Sequence, residues 1–155
     1  MAMADLDGPY KGLIKIAFPV ERGWAETMFA QPLPSGHYRI DNSPFHVYGV
    51  SNGDTVSAAP DQDGRLAFTG VVQRGGHSTY RVRLPPGQGP NCFLKHWPAL
   101  LALGCSFEGA DGRLYAIDLP PGVPVEAVYA LLAQAEQAGV WEFEEAHYVS
   151  QTDQR

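Results

Sequence analysis

Little in this chain marks it for a particular chemistry. It has two cysteines in 155 residues, Cys92 and Cys105, too few for a tetrahedral thiolate zinc site. Cys105 stands in a run that reads as buried strand, where a free thiol is at home, so no disulfide is indicated. Cations are scarce as well: eleven Lys and Arg stand against seventeen Asp and Glu, a formal net charge of −6 with a sequence pI near 5.2. Binding a phosphate backbone needs clustered cations, so nucleic acid is not expected as a partner. No apolar run approaches the ~20 residues of a membrane span. The opening MAMADLDGPYKG lacks a basic segment followed by an apolar core, so no secretory signal is expected and the expected location is the reducing cytoplasm. HEXXH, CXXC, GXSXG and the P-loop pattern are all missing. The GQG at 87–89 is too short for a dinucleotide fingerprint. The five histidines (37, 46, 77, 96 and 147) include no pair at i, i+3 or i, i+4. Neither a metal nor a cofactor is expected.

What is present is a soluble composition, 45% hydrophobic, enough for one good core or two small ones. Up to residue 74 the chain reads as short strands cut by turn residues: KGLIKIAF (11–18), WAETMFAQPL (24–33), GHYRI (36–40), FHVYGV (45–50), DTVSAA (54–59) and RLAFTGVVQR (65–74). Asn52-Gly53 suits the two positive-φ positions of a type I′ hairpin. No helical period occurs in this half, which reads as a small barrel or rolled sheet. After residue 76 the texture changes. STYRVRL (78–84) alternates as a strand, with Tyr80, Val82 and Leu84 on one face and Arg81 and Arg83 on the other. FLKHWPALLALG (93–104) reads as a helix with Pro98 in its first turn and Gly104 as cap. CSFEG and RLYAIDL form a hairpin about Asp111-Gly112. PPGVPVEAVYALLAQAEQAG (120–139) is the clearest helix, with Pro124 at its first position, Gly139 as cap, and a stripe of Val125, Val128, Leu131, Leu132 and Ala135. VWEFEEAHYV (140–149) is a last strand. The fold expected is α+β: a β-rich barrel-like subdomain over 1–75, a ferredoxin-like β-α-β-β-α-β subdomain over 76–148, and a tail over 149–155.

Several stretches together, FAQPLPSGHYRIDNSPFHVYGVSNGD (29–54), VVQRGGHSTYRV (71–82), LLALGCSFEG (100–109), RLYAIDLPPG (113–122) and VWEFEEAH (140–147), resemble the bacterial domain-of-unknown-function family 4265 over nearly the whole chain. One departure is visible: Phe45-His46 follows Ser43-Pro44, where the family pattern has Ile-Pro-Phe-Tyr or similar. The resemblance implies no activity, and no catalytic residue is carried over from it.

Two stretches are candidates for function. In QRGGHSTYRV (73–82) a Gly-Gly pair precedes His77, Ser78, Tyr80 and Arg81. An imidazole suits proton transfer near neutral pH and a guanidinium suits an anionic transition state. These four would therefore serve a small enzyme acting on RNA or a nucleotide in a cleft between subdomains. The plainer reading makes His77 and Ser78 hydrogen-bonded ties at a junction, and the absence of a sequence-linked acid–base partner favours it. In WEFEEAH (141–147), Glu142 and Glu144 share one strand face, while Trp141, Phe143 and Glu145 share the other. Such a strand is either a charge-protected edge or a surface for a basic partner, with Trp141 and Tyr148 as anchors. Acidity, small size and the missing catalytic signatures favour a non-enzymatic protein-binding role: an immunity protein or inhibitor covering the site of a basic partner such as a bacterial toxin. A small-ligand sensing module is a third class.

Overall fold

The computed structural model describes residues 12–149. The tail expected over 149–155 lies outside them, except for Val149, which is buried. The chain divides into two compact units between Gly75 and Gly76. No described helix is long and apolar enough to cross a membrane.

The first unit is a closed barrel of five strands in sequence order: β1 (Ile14–Pro19), β2 (Ala25–Pro32), β3 (Tyr38–Ile40), β4 (Thr55–Pro60) and β5 (Leu66–Gln73). Neighbours are antiparallel, from Ile14↔Ala30 to Pro19↔Ala25 in the first pair. The parallel contact Ala17↔Ala67 closes the barrel. Along β1 the period of two is plain: Ile14, Ile16 and Phe18 are buried while Lys15 and Pro19 are exposed. With Met28, Ala30, Ile40, Val47, Val50 and Val56 they form the core, and Phe68 stacks on Phe18 at 4.7 Å. Register shifts near Thr55/Val56 and Ser57/Ala58 supply the bending that a small barrel needs.

Two expectations in this half are corrected. Residues 45–50 form no strand; they belong to an irregular connection between β3 and β4. Val47 and Val50 enter the core from that connection, which accounts for the apolar run. Asn52-Gly53 makes no type I′ hairpin, because Gly53 has φ +88° while Asn52 does not have a positive φ. The turn is held by Asp54 instead, whose amide donates to the Ser51 carbonyl and whose carboxylate accepts the Ser51 amide. One 3-10 turn, Glu21–Gly23, joins β1 to β2.

The second unit runs β6 (Ser78–Arg83), α1 (Pro90–Ala102), β7 (Ser106–Ala110), β8 (Leu114–Leu119), α2 (Val125–Gln137) and β9 (Glu142–His147). Its sheet has the order β7-β8-β6-β9, with every neighbouring pair antiparallel. Tyr80, Val82, Leu84, Tyr115, Ile117 and Leu119 project from one face. They join Phe93 and Leu100 of α1 and Val128, Leu132 and Ala135 of α2 in one core. Phe93 lies flat on Tyr115 at 3.9 Å and meets Phe107 edge-on at 4.8 Å. Both helices end in the same way: the Gly104 and Cys105 amides donate to the Leu101 and Leu100 carbonyls, and the Gly139 and Val140 amides to those of Glu136 and Ala135. This is the Schellman motif, and Gly104 (φ +105°) and Gly139 (φ +78°) occupy the left-handed position it requires.

The helix starts need correction. α1 begins at Pro90, a first-turn proline, so Pro98 lies in its interior rather than its first turn. The position is tolerable because the carbonyl deprived of its amide belongs to Leu94, which is 47% exposed. Pro124 is the cap of α2, with extended ψ of 97°, and Val125 is the first helical residue.

Candidate functional site

The two glycines before His77 serve different needs. A Cβ on Gly75 would run into the Gly53 carbonyl, and the Gly75 amide donates to Asp54 Oδ1 at 2.9 Å. Gly76 has φ +87°, which L side chains rarely adopt. Asp54 is fully buried and gathers the end of the first unit: its Oδ2 also pairs with Arg74 at 3.0 Å. Glu26 does comparable work, accepting the amides of Phe45, His46 and Val47 at 2.7–3.0 Å. Sequence reasoning missed both carboxylates, since their amide partners leave no side-chain pattern.

In the second unit, β6 divides the proposed catalytic set between two sheet faces. Thr79 and Arg81 share the face of their register partners Asp118 and Ala116. His77 joins that face through Nδ1, 2.9 and 3.1 Å from the two Asp118 oxygens. Ser78 and Tyr80 point the other way. Ser78 Oγ accepts the Val149 amide at 2.9 Å, and the Tyr80 hydroxyl donates to Glu145 at 2.8 Å. Burial, and then the Glu145 carboxylate, push the Tyr80 hydroxyl well above the ordinary tyrosine range. Ser78 and Tyr80 therefore do not converge with His77. What does assemble is an imidazole oriented by a carboxylate 41 residues away, leaving Nε2 as the nitrogen not committed to that carboxylate. This arrangement suits proton transfer and also suits a plain structural tie. Only the fold brings Asp118 to His77, so sequence spacing carries no hint of it.

Arg81 is the surprise of this face. Expected on a polar strand surface, it is 1% exposed, and its Nε donates to Glu144 Oε1 at 2.7 Å. The register sets Glu108, Ala116, Arg81 and Glu144 in one row across the four strands, and the pair with Glu144 makes the burial tolerable. Among the described residues no group of three or more His, Cys, Asp or Glu is placed to hold a metal ion.

The acidic strand β9 lies at one edge of its sheet. Glu142, Glu144 and Glu145 are exposed, Tyr148 is 44% exposed and Tyr129 of α2 is 50% exposed. Glu144 faces Arg81 and Glu145 faces Tyr80 in regular register, and the shift between Thr79 and Tyr80 leaves Ala146 as the extra residue of β9. Trp141 is not a surface anchor: it is 3% exposed, in the core, with Nε1 donating to the Leu132 carbonyl at 3.2 Å. Glu136 accepts the Phe143 amide at 2.9 Å, which blunts the edge against pairing with another strand.

Comparison with known proteins gives the chain its place. A family described as a domain of unknown function (DUF4265) matches residues 26–143. The chain belongs to this family. A solved structure described as the "novel crystal structure of a hypothetical protein from Neisseria gonorrhoeae" superposes on this DUF4265 member with a TM-score of 0.73. The match covers 86% of this chain and 93% of that one at 14% identity, a likeness of fold alone. No curated protein matches.

Proposed function

We propose that this DUF4265 protein acts without catalysis, by binding another protein whose surface is basic, as an immunity protein or inhibitor does when it covers its partner's site. The observation that carries this reading is β9: an edge strand with three exposed carboxylates, flanked by the exposed rings of Tyr148 and Tyr129. Aromatic rings supply the desolvated centre of an interface, and carboxylates around them set the encounter rate. The chain's net charge of −6 adds a long-range field of the same sign. With Trp141 in the core, Tyr148 and Tyr129 take the anchoring role. For the second unit we propose a ferredoxin-like arrangement, supported by the order β7-β8-β6-β9 and by helices following β6 and β8.

Surface plasmon resonance against a partner retrieved from the native host tests the binding role. Glu142 is the informative position, since Glu144 and Glu145 are engaged by Arg81 and Tyr80. Glu142→Lys should lower the association rate and flatten its salt dependence, with little change in dissociation. An association rate indifferent to both salt and Glu142→Lys would reduce β9 to a solvated edge and end this proposal. A second reading, a small enzyme acting on RNA or a nucleotide, draws its support from the His77–Asp118 pair. An RNA-cleaving or nucleotide-hydrolysing activity that His77→Ala abolishes at unchanged stability would promote it.

A further inference from the structure

Between α1 and α2 lies a groove of about 510 Å³. It exists because the helices are spaced by large residues beneath them, Phe93, Leu100, Val128 and Leu132 in the common core, while Ala99, Ala135 and Ala138 along its walls contribute only methyl groups. Leucine at those positions would fill it. Trp141 forms part of the floor: the indole is almost wholly buried and its one polar atom already donates to the Leu132 carbonyl, so the little it shows is apolar. The His96 ring meets that indole edge-on at 5.4 Å.

Lys95 is the one formal charge of the lining. Lys95 and His96 are the titratable groups of the lining, and no carboxylate is among them. This stands out in a chain with seventeen acidic and eleven basic residues. Helix α1 itself contains no Asp or Glu. An apolar hollow with an exposed imidazole and an ammonium on its rim is complementary to a small molecule that is aromatic at one end and anionic at the other. The volume falls in the range of small-ligand sites.

We propose that this groove binds a small aromatic monoanion, a carboxylate in the cell, with its ring among the alanines, Leu131 and Val140 and its charge on Lys95, beside the His96 ring. The lining includes none of Glu142, Glu144, Glu145, Tyr148 or Tyr129, and the test of the site does not depend on the binding role proposed above. The probes are 8-anilinonaphthalene-1-sulfonate, an aromatic anion, and N-phenyl-1-naphthylamine, its uncharged analogue. The anion should bind the folded protein at a single saturable site with blue-shifted emission. Ala99→Leu and Ala138→Leu, both at exposed wall positions, should each weaken it by about tenfold. Lys95→Ala should weaken the anion by about threefold to fivefold and leave the neutral probe unchanged. Circular dichroism establishes that each variant is folded; if one is not, the other alanine position decides. Anion affinity unmoved by the filling substitution would overturn the site. An anion affinity unmoved by Lys95→Ala, or a neutral probe weakened as much, would overturn the assigned ligand class.

Discussion

Replacing Glu144 with Gln removes a charged acceptor from a guanidinium that is 1% exposed, at a bond of 2.7 Å. Two unit charges about 4 Å apart attract by about 4 kcal/mol at an effective dielectric near 20. The Glu144 side chain is 46% exposed, so water and salt take back much of that. Most of the cost comes from losing a charge-assisted hydrogen bond to a group that cannot turn to water, about 1.5–3 kcal/mol. Glu144→Gln should therefore destabilise the second unit by about 2 kcal/mol. Glu142→Gln, on the same strand face but opposite the exposed Arg83, should cost less than about 0.5 kcal/mol. Urea unfolding followed by tryptophan fluorescence reads the difference, since Trp97 and Trp141 both pack in the second core. Adding Arg81→Met closes a double-mutant cycle, and the cost of Glu144→Gln should shrink in that background. Equal costs at Glu142 and Glu144, or no coupling to Arg81, would refute the claim that this carboxylate holds the buried charge.

Leu132 is fully buried on α2, so Leu132→Ala should cost about 2–5 kcal/mol in urea unfolding; a loss below about 1 kcal/mol would show that the site collapses around the smaller side chain. Gly75→Ala sets a Cβ against the Gly53 carbonyl and should destabilise the barrel unit by more than about 1 kcal/mol. An unchanged unfolding midpoint would mean that the chain shifts there freely. Burial, and then the Asp118 charge, push the Cys105 thiol up to about 12. In mildly alkaline solution a disulfide reagent should modify partly buried Cys92 first and reach Cys105 only on unfolding. Because the unfolded thiol ionises at lower pH than the folded one, this group's contribution to stability is complete below the unfolded value and is lost as pH rises toward 12. Equal reaction of both thiols in the native protein would contradict the burial.

The legible parts of the fold are those with local causes. Alternation marks β1, where the barrel buries every second residue, and the 3.6-residue stripe marks α2. Gly104 and Gly139 show where the helices end because Schellman closure requires a left-handed residue. Local signals mislead where a distant group overrules them. Asn52-Gly53 is a good hairpin dipeptide, but the Asp54 carboxylate builds a different turn. FHVYGV has strand composition, yet Glu26 binds three of its amides in a loop. The cost of an interior proline points Pro98 to a first turn, but at an exposed position the helix tolerates it.

Candidate site residues divide in the same way. From the residues alone it follows that this chain is acidic, lacks the HEXXH, CXXC, GXSXG and P-loop patterns, and gathers three carboxylates in WEFEEAH. Which of those carboxylates are free to meet a partner was decided by pairing across the sheet: Glu144 serves Arg81, Glu145 serves Tyr80, and Glu142 has only the exposed Arg83 opposite. Tertiary structure likewise withdrew Trp141 from the surface and gave His77 its carboxylate from 41 residues away. The physical reason is common to all of these. Propensity and periodicity act over a few residues along the chain, whereas the burial of a charge, and the partner that makes it tolerable, depend on which strands lie side by side.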